Sequence, residues 1–155
     1  MKPIQEYDFM IDPVLEPYIN KLEAFKKLCE NPDAIHYISK YPEKINFDYL
    51  SQNPCPDALK LLRENPKKID WEGLSMNPSP EAIQLLKENP KNIDWWYLSM
   101  NPNPEAMKLL RENPKNIYWF QLSEKSNPDA IQLLKENPEK IDWWQLSRNR
   151  CPDAI

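Results

Sequence analysis

The stretch PEAIQLLKENPKNIDWWYLSMNPN, residues 80–103, recurs in variant form along most of the 155-residue chain. An Asn-Pro pair returns every 24 residues, at Asn65, Asn89, Asn113 and Asn137, and Tyr41-Pro42 holds the same slot one period earlier. When the chain is cut at the recurring proline, the units span residues 32–55, 56–79, 80–103, 104–127 and 128–151, and CPDAI begins a sixth. A fixed period of this kind is the signature of a repeat architecture, in which each unit stacks on its neighbours.

Each unit is predicted to form two short helices. In residues 80–103, Ser79 is suited to cap the first helix and Pro80 to occupy its first position. Asn89-Pro90 ends that helix, because the residue before a proline avoids the α region. Asp94 then caps a second helix, which Asn101-Pro102 ends. Helices of two or three turns are marginal alone, so we predict an all-α fold, an α-solenoid of 24-residue two-helix repeats.

The chain divides into an N-terminal segment, residues 1–31, and the tandem repeats, residues 32–155. Residues 13–30 are predicted to form a longer amphipathic helix. Terminal repeats need a capping element with a polar outer face, and this helix is predicted to supply one. At the other end, Ile155 falls within a predicted helix, and we expect the protein to continue past it rather than a partner to complete the helix.

Composition narrows the classes of function. The formal net charge is −4 and the pI is near 5.1, which argues against a protein that binds nucleic acid by neutralising phosphates. Gly73 is the only glycine, so a Gly-rich phosphate-binding loop is excluded. No uncharged apolar run reaches the length of about 18 residues that a membrane-spanning helix needs. We therefore predict no nucleic acid, no small-molecule substrate and no membrane span.

The residues that most often catalyse reactions or bind metals are sparse and dispersed. His36 is the single histidine and is predicted to lie on the surface. Cys55 and Cys151 hold equivalent positions four units apart, beyond disulfide reach, and Cys29 is predicted to be a core thiol. The repeated serines, such as Ser99, are assigned to capping or solvent contact at the end of the second helix. We predict no enzyme, no metal site and no cofactor, in a reduced intracellular compartment.

The aromatic residues fall into two neighbouring slots of the repeat. The first slot, predicted to pack in the core, holds Phe47, Trp71, Trp95, Trp119 and Trp143. The next slot holds Asp48, Glu72, Trp96, Phe120 and Trp144. Because that slot accepts charge in two units, it is predicted to be at least partly exposed. Trp96, Phe120 and Trp144, here called the aromatic ridge, are the candidate protein-binding residues. The alternative is that they thicken the contact between units.

Charge also repeats along the predicted first helices. One slot holds Arg63, Lys87, Arg111 and Lys135, and the next holds Glu64, Glu88, Glu112 and Glu136. Stacked units would place a basic ladder beside an acidic one. The favoured interpretation is a solvated face with weak surface pairs, and the alternative is an extended contact with an acidic partner.

The motif NP-x-A-I-x-L-L-x-x-NP-x-x-I-D-W-x-x-L-S-x-NP is seen in NPEAMKLLRENPKNIYWFQLS and NPDAIQLLKENPEKIDWWQLS. It resembles the short tandem repeats in many proteins of large nucleocytoplasmic DNA viruses, and the resemblance covers residues 31–155. The resemblance implies an all-helical scaffold of viral origin and supplies no catalytic residues. The chain departs from the motif at Tyr118, where the capping Asp is lost, and at Lys125-Ser126, which replaces Asn-Pro. The fourth unit is therefore expected to be less regular.

These observations favour a non-enzymatic scaffold or interaction protein that is virion-associated, as a minor capsid or capsid-bridging component. Its expected partners are other proteins, capsid proteins among them, and its expected location is the virion or the cytoplasm of the infected host cell. The alternative is an intracellular adaptor that captures a host or viral protein on the aromatic ridge. An enzyme is the least favoured class, because the polar residues are periodic rather than convergent.

Overall fold

The computed structural model describes residues 22–124 and 127–150, and within these ranges the chain forms α-helices and 3₁₀ turns but no strand. The N-terminal helix is α1 (Leu22–Glu30). The first helices of the units are α2 (Ile35–Ile38), α4 (Pro56–Glu64), α6 (Pro80–Glu88), α8 (Pro104–Glu112) and α10 (Pro128–Glu136). The second helices are α3 (Phe47–Gln52), α5 (Trp71–Met76), α7 (Trp95–Leu98), α9 (Trp119–Glu124) and α11 (Trp143–Arg148). The predicted all-α repeat fold is confirmed.

The first helices begin and end where the repeated residues predict. A proline occupies the first turn of α4, α6, α8 and α10. In α6 the Ser79 hydroxyl accepts a hydrogen bond from the amide of Ala82 at 3.2 Å, as an N-cap does. The helix ends at Glu88, and the Asn89 side chain donates back to the Leu85 carbonyl at 2.9 Å. A 3₁₀ turn, Pro90–Asn92, then leads to the second helix.

The second helices are capped by an aspartate in three units. The carboxylates of Asp70, Asp94 and Asp142 accept from the backbone amide three residues further on, at 2.9–3.1 Å. Tyr118 holds this position in the fourth unit, yet α9 still forms, and the Leu122 amide donates to the Tyr118 carbonyl at 3.1 Å. The loss of the cap therefore does not prevent the helix, since its packing against neighbouring helices supplies most of its stability.

The units stack into two layers. In one, the first helices α4, α6, α8 and α10 pack in series, and in the other α1, α3, α5 and α7 pack in series and α9 packs on α11. Between the layers lies a core of alanine and leucine at equivalent positions. It includes Ala58, Ala82, Ala106 and Ala130, and also Leu50, Leu74, Leu98 and Leu122, all fully buried. Burying one leucine side chain contributes about 1.5–3 kcal/mol relative to leaving it exposed. Stacking is thus what stabilises helices this short. None of the helices in the described ranges is long and apolar enough to cross a membrane.

The first helix of the first unit departs from the pattern. A 3₁₀ turn at Pro32–Ala34 is followed by α2, a single α-helical turn, where the later units have a nine-residue helix. The sequence His36-Tyr37-Ile38-Ser39 replaces the Leu, Lys and Arg of the other units with weaker helix formers. The helix consequently ends early, and the Ser39 hydroxyl donates to the His36 carbonyl at 2.9 Å.

Of the helix predicted over residues 13–30, the part Leu22–Glu30 is present and residues 13–21 lie outside the described residues, while its capping role stays a prediction. Helix α1 packs on α3 in the same way that α3 packs on α5. The Asn53 side chain donates to the Cys29 carbonyl at 2.8 Å, as the Asn77 side chain donates to the Asn53 carbonyl. Helix α1 therefore occupies the place of a second helix from a preceding unit.

Candidate protein-binding surface

A ladder of buried asparagines joins each of the second helices α3, α5, α7 and α11 to the preceding helix of the same layer. The Asn77 side-chain nitrogen donates to the carbonyls of Ser51 and Asn53 at 2.9 and 2.8 Å. One unit further, the Asn101 side-chain nitrogen donates to the carbonyls of Ser75 and Asn77 at 2.8 and 2.9 Å. These asparagines are at most 2% exposed. Since buried carbonyls need donors, the ladder fixes the spacing between successive second helices.

Four of the repeated serines form a second set of bonds between units, so the solvent contact offered as an alternative to capping is wrong for them and holds only for the exposed Ser147. Ser51, Ser75, Ser99 and Ser123 are all fully buried. The Ser99 hydroxyl donates to the Trp95 carbonyl at 2.8 Å and accepts from the Tyr118 amide at 3.1 Å. The Ser51 hydroxyl does the same with the Phe47 carbonyl and the Asp70 amide. Each serine therefore ties the start of the next second helix to its own helix.

The aromatic ridge is held on this frame. Trp96, Phe120 and Trp144 are the second residues of α7, α9 and α11, so they lie at one repeating position. Their exposed fractions are 37%, 47% and 62%. The exposure predicted for this slot is confirmed, and the binding of a partner there stays a prediction. The Trp96 ring meets Tyr97 edge-on, with 4.6 Å between the ring centroids, and the Arg148 guanidinium lies 4.7 Å from the Trp144 ring centre.

The neighbouring aromatic slot is only partly what the sequence predicts. Phe47, Trp71, Trp95 and Trp119 are half-buried against the core, as predicted. Trp143 was predicted to pack in the core, and this is wrong, because 67% of it is exposed. Each of the earlier rings has a following second helix beside it, whereas Trp143 belongs to the last second helix of the described residues.

Three further apolar side chains extend this surface, and sequence reasoning missed them. Met76 is 42% exposed and Tyr118 is 50% exposed, and Met100 is half-buried. Met76 and Met100 lie four residues after Glu72 and Trp96, which is the spacing of neighbours on one helix face. That spacing was the available signal. Tyr118 stands where other units carry a small capping aspartate, so its ring extends from the start of α9.

The charge ladders lie on the other layer and pair between units. Arg63 bonds Glu88 at 2.5 Å and Arg111 bonds Glu136 at 3.3 Å. Glu105, which is outside the ladders, receives Lys87 from the preceding unit and Lys108 from its own helix. The guanidinium of Arg63, and then the Gln84 amide, lower the pKa of the Glu88 carboxyl. All these pairs are exposed, so each adds little stability. The weak surface pairs favoured by the sequence are what the structure contains.

One junction of the ladder differs, at the position of Lys125-Ser126, which lies outside the described residues. In the fifth unit, Asn149 resumes the pattern and donates to the Ser123 carbonyl at 3.1 Å. In earlier units the equivalent carbonyls accept from an asparagine side chain: those of Ser51 and Asn53 from Asn77, and those of Ser75 and Asn77 from Asn101. Within residues 22–124 and 127–150, no side chain donates to the carbonyls of Ser99 and Asn101. A cavity of about 140 Å³ lies there, lined by Ser99, Met100, Asn101, Pro102, Met107, Asn127 and Ala130.

The candidate chemical groups do not converge on a reactive site in the described part of the chain. No group of three or more His, Cys, Asp or Glu side chains there could hold a metal ion. His36 is exposed, as predicted. Cys29 is buried, as predicted, and burial raises the pKa of its thiol. Cys55 is a half-buried free thiol, and Cys151 lies outside the described residues.

Comparison of the chain with protein-family models, curated proteins and solved structures finds no match. The structure offers exposed aromatic rings at one repeating position of successive second helices, which suits the binding of another protein.

Proposed function

We propose that this chain is a non-enzymatic helical-repeat scaffold that binds a partner protein through the aromatic ridge. The observation that supports this most is the exposure of Trp96, Phe120 and Trp144 at one position of three successive second helices. Large aromatic side chains exposed in a contiguous patch are typical of interaction sites. In interfaces, tryptophan and tyrosine are among the residues whose truncation costs most affinity.

The frame beneath the ridge favours binding without a large ordering cost. Beneath the ridge, the buried Ser99 joins α7 to α9, and Ser123 and Asn149 join α9 to α11. A preorganised surface loses little conformational freedom when it binds, so more of the contact energy appears as affinity. A repeat array also presents a long surface to a partner, which suits a bridging role.

The repeat motif supports a viral setting for this proposal. There the chain is a minor capsid or capsid-bridging component, and its partner is a capsid protein. The alternative is an intracellular adaptor that captures a host or viral protein on the same ridge in the cytoplasm of the infected cell. Both versions use the same residues, and they differ in where the chain and its partner are found.

Quantitative mass spectrometry with crosslinking, on purified particles and on infected-cell lysate, tests the two versions. Recovery of the chain in particles at a fixed ratio to capsid protein, with crosslinks between them, supports the scaffold. Absence from particles, with a soluble crosslinked partner in the lysate, supports the adaptor.

The role of the ridge is tested by a triple variant, Trp96→Ala, Phe120→Ala and Trp144→Ala. We expect recovery of the partner to fall at least tenfold, since each hot-spot truncation costs about 2 kcal/mol. The matched control replaces three exposed residues of the first helices with alanine, namely Glu64, Glu112 and Lys135. A partner that binds the ridge variant as well as the control variant contradicts the proposal.

A further inference from the structure

The ridge belongs to a wider face of the second helices. The residues four positions after the ridge slot lie on the same side of each helix. We call the two rows together the ridge face. Its members are Asp48, Gln52, Glu72, Met76, Trp96, Met100, Phe120, Glu124, Trp144 and Arg148, all exposed except the half-buried Met100. The contact of Arg148 with the Trp144 ring shows that the two rows touch.

Charge is unevenly distributed along the ridge face. Its N-terminal end carries Asp48 and Glu72, and among the described residues neither forms an ion pair. Its C-terminal end carries Arg148, and the centre is apolar apart from Glu124. A partner matched to this face would place basic groups over the first two units and an acidic group beside the last.

Two lysines of the 3₁₀ turns lie over aromatic rings of the first unit. The ammonium of Lys68 lies 4.7 Å from the centre of the Phe47 ring, and that of Lys44 lies 5.1 Å from the centre of the Tyr41 ring.

The form of the partner is inferred from the kind of contact that the face offers. Its exposed groups are side chains, three of them large aromatic rings. A helix satisfies its own backbone hydrogen bonds and contributes side chains alone, which is what a row of exposed rings can accept.

We infer that the ridge face binds an amphipathic partner helix with a basic end and an acidic end. The basic end lies over Asp48 and Glu72, the apolar stripe lies on the ridge, and the acidic end lies beside Arg148. Second helices spaced by about 8–10 Å make a face that a helix of about 25 residues spans. This inference rests on the proposed function, because it names the class of partner for the same surface.

The test uses three labelled helical peptides of about 25 residues with one shared apolar stripe. One carries lysines at one end and glutamates at the other, the second carries lysines at both ends, and the third glutamates at both. Fluorescence anisotropy against the whole chain is expected to show the bipolar peptide binding about fivefold tighter than either uniform peptide.

Charge reversal separates this inference from the proposed function. In Asp48→Lys with Glu72→Lys, the preference is expected to move to the peptide with glutamates at both ends. The matched control, Glu64→Lys with Glu112→Lys, makes the same change of net charge on the first helices and is expected to keep the wild-type order. An order of affinities unchanged by the first pair, or no binding by any peptide, overturns the inference.

The ridge variant completes the set of outcomes. Equal binding of all three peptides that is lost in the triple alanine variant overturns the charge-matched partner and leaves ridge binding supported. Binding that survives the triple alanine variant overturns both.

Discussion

The ladder of buried asparagines makes a quantitative prediction at Asn77. Its side-chain nitrogen donates to two carbonyls, of Ser51 and Asn53, and its oxygen accepts from the Ser79 amide at 3.0 Å. Asn77→Ala leaves these three groups without their partner. Each buried unsatisfied group costs about 1–3 kcal/mol, and water entering the space left behind recovers part of that. We expect the free energy of unfolding to fall by about 3–4 kcal/mol.

The matched control is Asn89→Ala. Asn89 belongs to the other Asn-Pro pair of the repeat, is half-buried, and its side chain donates only to the Leu85 carbonyl of its own helix. We expect that variant to lose about 1 kcal/mol. A further variant, Asn77→Asp, keeps the shape and the accepting oxygen but cannot donate when ionised, so it is expected to lose at least as much as Asn77→Ala.

Urea unfolding followed by circular dichroism and tryptophan fluorescence measures these differences. The slope against denaturant should stay constant, so that the midpoints report stability alone. If Asn77→Ala and Asn89→Ala cost the same within about 0.5 kcal/mol, the bonds between units do not hold the second helices in place, and the ladder argument is refuted.

Three more predictions concern single features of the structure. Lys125→Asn restores the repeat residue at the interrupted junction and should raise the free energy of unfolding by about 1 kcal/mol in the same urea assay. A lower free energy of unfolding would contradict the role given to the ladder. Trp95→Ala removes a half-buried ring and should lower the free energy of unfolding by about 3 kcal/mol, while Trp143→Ala should lower it by less than about 1 kcal/mol. Equal losses would place both rings in the core. Arg63 lowers the pKa of the Glu88 carboxyl in the folded chain. Their pair therefore stabilises the fold above the ordinary carboxyl pKa of 4.5, and that contribution is lost as the pH falls below it. The difference in melting temperature between Arg63→Ala and wild type should accordingly shrink in acid, and a difference independent of pH would contradict this.

Much of the fold is predictable because each local signal agrees with the others. Pro80 at a helix start, Asn89-Pro90 at its end and Asp94 at the next cap all mark boundaries that the structure confirms. The one-turn α2 is visible only in hindsight, as a cluster of weak helix formers from His36 to Ser39.

The roles of the second Asn-Pro pair and of the serines were not predicted, for a physical reason. A repeated Asn-Pro is typical of a helix end whether or not the asparagine bonds to a neighbouring unit. The fifth unit contains the sequence feature that indicates this role, because it keeps the asparagine at Asn149 while Arg150 replaces the proline. Retention of the amide without the proline points to a role for the side chain, and the structure shows that bond.

The exposure of Trp143 could not be predicted from periodicity, because a repeat pattern treats all its members alike. Burial depends on having a neighbour on each side, and α11 is the last second helix of the described residues. The ridge slot was easier to predict, since Asp48 and Glu72 in the equivalent positions indicate solvent directly.

Site-specific photocrosslinking from Phe120, in cells that express the chain, tests the binding of a partner protein at the ridge. A photoreactive phenylalanine analogue replaces Phe120 in the middle of the ridge, and the same analogue at Glu112 on the first-helix layer serves as the control. One dominant protein adduct is expected from position 120, absent from position 112 and lost when Trp96 and Trp144 are changed to alanine. The same adducts from both positions, or none from position 120, would contradict it.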